Sequence, residues 1–359
     1  MSKRTVKKKN QGINKGKLLF ILLVLVTIVI VGYKVFGNKN NTNTVQADNK
    51  TEQKVNNNSN DKVAPEIKFQ KERIVLATGN KYVDEDATAT DDVDGDITSK
   101  IKITGDIDYN TPGKYEMKYE VEDAAGNKTE KTRTYIVRNK ASNGVPILMY
   151  HFFYDEEGDW IRDNNWLSTA KFEEQLQYLT ENEYYYPSWV ELEKYIDGEI
   201  ELPEKSVVLT MDDGDDSFFD LAIPLLQKYK VNATSFVITE WYGWKTENQS
   251  YDYIDYESHS NNMHEAGSNG KGKIMTLPHD QIVEDLETSR RLLKGGTTVF
   301  CYPCGDWNEH AMEALRDAGF KLAVTTQGGR VYKGSSKLEL PRVRISKNTG
   351  INYFKDCVN

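Results

Sequence analysis

The chain has 359 residues, 38% of them hydrophobic, with 46 basic against 55 acidic side chains and a formal net charge of -9. That length and apolar content support two or three folded domains and exclude a chain disordered throughout. The acidic balance excludes a general nucleic-acid binder, which needs a cationic footprint to displace counterions from phosphates.

The charge is unevenly spread. Residues 1–17 hold Lys3, Arg4, Lys7, Lys8, Lys9, Lys15 and Lys17 and no acidic residue. An apolar run from Leu18 to Tyr33 follows, extended by Val35 and Phe36 if Lys34 snorkels. As a helix the run spans roughly 24 Å, just under a hydrocarbon core. Residues 1–17 are therefore expected to be a cytoplasmic tail and 18–36 a transmembrane anchor, with everything beyond outside the cell by the positive-inside rule. The competing reading is a cleaved signal peptide, against which the small-residue site at Val45–Ala47 lies far beyond the apolar run.

From residue 37 to 63 the composition turns to Asn, Thr, Lys and Gln, too polar to offset the entropy of folding, and predicts a disordered linker. Over 64–138 short alternating runs appear, such as Tyr115, Met117, Tyr119 and Val121 against Glu116, Lys118 and Glu120. Turn clusters separate them at Asp94–Asp96, Thr111–Gly113 and Ala125–Asn127. This pattern predicts a small antiparallel β-sandwich. The run from Tyr82 to Asn127 resembles the immunoglobulin-like modules of bacterial surface proteins. Its acidic cluster of Asp91, Asp92, Asp94 and Asp96 is either a calcium ligand set or a solvated turn, and no glutamate stands at a bidentate loop spacing.

Residues 139–359 alternate apolar strands (145–150, 206–210, 233–238, 298–302, 321–325) with amphipathic helices (169–182, and 308–318 opened by Asn308 and closed by Gly319), the pattern of an α/β barrel. The strand ending at Thr210 runs into Met211, Asp212, Asp213 and Gly214, so two carboxylates stand where a parallel strand ends. One can ligate a metal while its neighbour moves a proton. His259 and His264 lie in a segment too polar for a core. One carboxylate and two imidazoles make a three-ligand set that leaves room for water and substrate, as catalytic zinc sites do, and the natural chemistry is amide or ester hydrolysis. Cys301 and Cys304 form a CxxC without a second half; with Cys357 they are the only cysteines, so no disulfide framework is expected.

The segment from Thr210 to Gly214, the pair His259 and His264, and the run Tyr302, Pro303, Cys304, Gly305 resemble three ordered motifs of the polysaccharide deacetylase (NodB-homology) family. Val145 to His151 fits as well, and the resemblance covers about residues 145–350. It implies a distorted (β/α) barrel with Asp213, His259 and His264 on a divalent metal, usually zinc, and Asp212 as general base. The backbone N–H of Cys304, between Pro303 and Gly305, would face the oxyanion. Cys301 stands where the family has an arginine, and the late leucine–histidine motif is absent. His151 is the candidate to protonate the departing amine, and Arg342 either orients Asp212 or binds sugar. Trp241 and Trp244, with the stretch Tyr184–Trp189, are candidate sugar-stacking faces, whereas His279 and His310 read as surface residues. The expected substrate is an N-acetylated surface polysaccharide, poly-N-acetylglucosamine or peptidoglycan. An O-acetyl esterase on a xylan-like polymer and a catalytically decayed wall-binding protein are the alternatives.

Overall fold

The computed structural model describes residues 61–155, 163–247, 250–267, 270–294 and 296–359. The expected tail and anchor lie outside these residues, as does the linker up to residue 60. Among the described residues no helix is long and apolar enough to cross a membrane.

The first module holds strands β1 (Glu66–Phe69), β2 (Arg73–Ala77), β3 (Ala87–Asp91), β4 (Gly95–Asp96), β5 (Lys102–Thr104), β6 (Gly113–Glu122) and β7 (Lys128–Arg138). They form two sheets, β1-β3-β4 and β2-β7-β6-β5. Alternation in β6 sends Tyr119 and Val121 inward against Ile67, Phe69, Ala89 and Ile97, which closes the core between the sheets. One pairing departs from the antiparallel expectation: β2 lies parallel to β7. Only three residues separate β1 from β2, so the chain crosses to the second sheet without a hairpin turn. Residues 61–63 are also held, since Asn127 Nδ2 donates to the carbonyls of Asp61 (3.3 Å) and Val63 (3.1 Å).

The second module contains β8 (Ile147–Tyr150), β9 (Phe152–Tyr154), β10 (Trp166–Ser168), β11 (Val208–Met211), β12 (Ala233–Val237), β13 (Ile254–Ser258), β14 (Val299–Cys301), β15 (Leu322–Gly328) and β16 (Leu340–Arg344). Seven of these close a barrel in the order β8-β11-β12-β13-β14-β15-β16, every pair parallel. The helix Thr169–Glu181 starts at Ser168, whose side chain accepts from Lys171 N, and Glu309–Asp317 starts at Asn308, which accepts from Ala311 N. Their apolar faces cover the barrel, with Phe172, Leu176 and Leu179 on one side and Ala311, Ala314 and Leu315 on the other. The modules touch through Arg73 on Glu183 (3.0 Å) and a two-way bond between Asn80 and Glu201.

Strands β13 and β16 have no counterpart in the sequence expectations. β13 is polar in composition, yet Glu257 is only 8% exposed and its Oε2 accepts the N–H groups of Thr298 and Val299, both at 3.0 Å. Burial pushes the Glu257 carboxyl up to about 8. A raised carboxyl pKa means that the folded chain keeps a proton the unfolded chain has lost, so stability falls as pH rises from about 4.5 to about 8, each pKa unit being about 1.4 kcal/mol. Glu257→Gln keeps the acceptor oxygen and removes the titration. Its melting temperature relative to wild type is expected to be clearly more favourable at pH 9 than at pH 5; an equal difference at both pH values refutes the assignment.

Candidate active site

All seven barrel strands run the same way, so their C-terminal ends share one rim. β11 delivers Asp212 and Asp213 there, β13 delivers His259, β14 leads to Pro303–Gly305, and β8 leads to His151. Three rim residues without the freedom of glycine adopt positive φ: Asp213 (75°), Ser260 (72°) and Cys304 (61°). Such backbone is costly and persists where the surroundings enforce it. Gly214 follows Asp213 at φ 72°, where a Cβ would press on Val237 at 3.1–3.3 Å, and a Cβ on Gly305 would run into Thr326.

Asp213 Oδ1 lies 3.4 Å from Nε2 of both His259 and His264. That oxygen is buried and has no hydrogen-bond partner. The spacing is close to the roughly 3.3 Å edge of a tetrahedron with metal–ligand bonds of about 2.0–2.1 Å. His259 Nδ1 bonds to the carbonyl of Cys301 at 2.8 Å, so Nε2 is the nitrogen left to face Asp213. Burial and the neighbouring His259 push the His264 imidazole down, whereas contacts with Cys301 and Asp213 hold His259 up. The donor set thus fits a divalent metal. A second group, Asp212 with His259 and Cys301, is also close enough to share an ion. There, however, both Asp212 oxygens are already taken by an arginine, and burial pushes the Cys301 thiol up, away from the thiolate a metal requires.

That arginine is Arg342, on β16. It is 1% exposed and uses all five of its N–H donors: Nη1 to Asp212 Oδ1 (2.7 Å) and Thr210 Oγ1 (3.1 Å), Nη2 to Asp212 Oδ2 (2.7 Å) and Cys301 Sγ (3.3 Å), and Nε to the carbonyl of Thr325 (2.8 Å). Burial alone would raise the Asp212 pKa, but the Arg342 charge and its hydrogen bonds hold the carboxyl well below the usual range. His151 Nε2 stands 3.7 Å from Asp212 Oδ2, its Nδ1 is buried without a partner, and burial lowers its pKa against the pull of Asp212 and Asp213.

Comparison with known proteins decides what this rim belongs to. A Bacillus subtilis protein named as a polysaccharide deacetylase, YxkH, is 30% identical over 234 residues, covering 63% of this chain and 80% of that one. The chain belongs to the polysaccharide deacetylase family. Residues 199–323 match the family described as polysaccharide deacetylase, and residues 69–137 match the Ig-like domain of bacterial surface proteins. The poly-beta-1,6-N-acetyl-D-glucosamine N-deacetylase of Staphylococcus aureus (strain MRSA252) is 28% identical over 237 residues, covering 61% of this chain and 79% of that one. Among solved structures, IcaB of Ammonifex degensii aligns at TM-score 0.50 and 26% identity over 61% of this chain and 97% of that one. The Streptococcus pyogenes deacetylase PplD, solved with acetate, shares the fold at TM-score 0.53 and 24% identity, covering 60% and 98%.

Several expectations for the deacetylase need correction. Tyr184–Trp189 does not flank the rim: the Tyr185 carbonyl accepts from Val207 N and Trp189 Nε1 donates to Thr234, at the entry ends of β11 and β12. These rings line a cavity of about 880 Å³ shared with Arg73 and Tyr82 of the first module. Trp241, 42% exposed, does reach the rim, its ring 5.8 Å from that of His264. The Cys301 sulfur packs on both Arg342 and Asp212. Its short side chain leaves the space that the Arg342 guanidinium enters from β16. Asp285 escaped sequence reasoning altogether. Its carboxylate accepts from Asn261 N (2.7 Å) and Asn262 N (2.8 Å) and so fixes the loop between the two histidines. One acid among several on the helix His279–Leu292 carries no signal for that role.

Arg342→Met leaves the Asp212 charge buried and unpaired, and is expected to cost about 3–5 kcal/mol in denaturant unfolding. Adding Asp212→Leu to it should recover most of that loss. Strictly additive single and double variants would show that the pair is not coupled.

Proposed function

We propose that this deacetylase is a zinc-dependent N-deacetylase of a β-linked poly-N-acetylglucosamine, working outside the membrane on a single N-terminal anchor. The observation that carries the metal dependence is the unpartnered buried oxygen of Asp213 facing two imidazoles at 3.4 Å. Support for the polymer comes from the staphylococcal relative, named for poly-beta-1,6-N-acetyl-D-glucosamine. Support for the location is the basic tail followed by the apolar run from Leu18 to Tyr33.

Asp213, His259 and His264 would hold the ion. The chemistry such an ion supplies is Lewis acidity, which lowers the pKa of water toward about 7 and polarises a carbonyl. Asp212, ionised across the neutral range, accepts the proton of the attacking water, and Arg342 fixes the direction in which it does so. The backbone N–H of Cys304, held by the left-handed turn, faces the developing oxyanion. His151, whose Nε2 stands 3.7 Å from Asp212 Oδ2, relays that proton from Asp212 to the leaving amine. Water and amide become acetate and a free amine, which is cationic at neutral pH, so the polymer changes charge. Trp241 offers an exposed face on which a sugar ring can stack beside His264. Retention of the complete donor set leaves the wall-binding alternative without support.

The test is acetate release by the full-length protein from β-1,6-linked N-acetylglucosamine oligomers, peptidoglycan and acetylated xylan. Release from the oligomers should vanish with a chelator, return with zinc and fall by about 10²–10⁴ in Asp212→Asn. Release from peptidoglycan alone or from xylan alone would replace the substrate, and activity indifferent to chelation would overturn the metal.

A further inference from the structure

The first module carries a second group of carboxylates, outside the barrel. Asp61 precedes β1, Asp91 ends β3 and Asp123 follows β6, and one carboxylate oxygen from each lies within 4.8 Å of the others. Oxygens that close can share one cation held at calcium–oxygen distances of about 2.4 Å. Three like charges so close repel unless something positive stands between them. Among the described residues no lysine, arginine or histidine pairs with any of the three, and Lys100, the cation of that turn, pairs with Asp94.

A second observation points to a ligand. Asp91 is 8% exposed; its Oδ2 accepts from Val93 N and Asp94 N, both at 2.9 Å, while its Oδ1 is buried with no partner. An orphaned buried acceptor costs about 1–3 kcal/mol, more when charged. Of the other acids of the sequence cluster, Asp92 is exposed, Asp94 accepts from Ala124 N, and Asp96 Oδ1 accepts from Thr98 N. The surrounding turns are built around the group. Asp123 Oδ1 accepts from Gly126 N (2.7 Å) and Asn127 N (2.8 Å), and Asn127 Nδ2 reaches Asp123 Oδ2 (2.8 Å) as well as the carbonyls of Asp61 and Val63.

We propose that the immunoglobulin-like module binds a calcium ion through Asp61, Asp91 and Asp123, pinning the chain that enters β1 onto the sandwich. The donors are all oxygen, which selects a hard cation. Three carboxylates on separate turns suit the flexible six-to-eight coordination of calcium better than the tight octahedron of magnesium. The site differs from the calcium reading of the sequence, because only Asp91 of that cluster takes part.

Equilibrium dialysis of the chelator-stripped full-length protein against radiolabelled calcium tests this. One ion per chain is expected, with a dissociation constant of about 10⁻⁴–10⁻³ M, the range of exposed extracellular modules, and equimolar magnesium should not displace it. Asp91→Asn and Asp61→Ala should each weaken binding about tenfold or more, whereas His264→Ala, in the barrel, should leave it unchanged. Asp61 lies outside every strand, so its variant remains informative even if Asp91→Asn fails to fold. No uptake at several millimolar calcium, or uptake unaltered in Asp61→Ala, would sink the proposal.

Discussion

Asp212 is 2% exposed at the end of a barrel strand, in surroundings where an isolated carboxylate would take up a proton rather than remain charged. It stays ionised because Arg342 lays a planar fork across both of its oxygens, and Arg342 can be buried in turn because every one of its donors finds an acceptor. The arginine stands on β16, the last strand, and the aspartate follows β11. The two meet only when β8 pairs with both, as it does through Val343 opposite Leu148 and Met211 opposite Tyr150. Closure of the barrel and assembly of the site are therefore one event.

A carboxylate stabilised this strongly is a weak base. In the proposed reaction it can take a proton only from water that has itself been made acidic, and the Asp213, His259 and His264 set is what would do so. The two halves are also joined mechanically. The Cys301 carbonyl sets the ring of His259 while the Cys301 sulfur touches Arg342 and Asp212, so one residue of β14 bears on both the proton acceptor and the ligand set. Strain at Asp213, Ser260 and Cys304 has the same origin, because each strand must turn sharply at the rim to aim a side chain or an N–H inward.

Much of this was legible in the chain. The apolar strands that carry Asp212 and lead to Pro303 announce themselves by composition, and Asn308 marks its helix start to the residue. The resemblance to the deacetylase motifs pointed to Asp213, His259 and His264, which the fold brings to one point. What stayed hidden was polar and long-range. β13 reads as a loop because Asp255 and Glu257 interrupt it, and only contact with the backbone of Thr298 and Val299 shows why a glutamate is tolerated there. Asp61 and Asp123 are 62 positions apart, and nothing local relates either to Asp91.

Cys301 shows why position in a motif is a weaker guide than position in space. The resemblance implies an arginine at that place, and its absence from the sequence reads as decay. In the fold a guanidinium is present all the same, delivered from β16, two strands away, into the volume beside the Cys301 sulfur. The physical requirement is a cation that holds the Asp212 carboxylate in one orientation, and a closed barrel offers more than one strand from which to meet it. Larger residues at 301 would compete with Arg342 for that volume, so the two positions are constrained jointly, by packing as much as by charge.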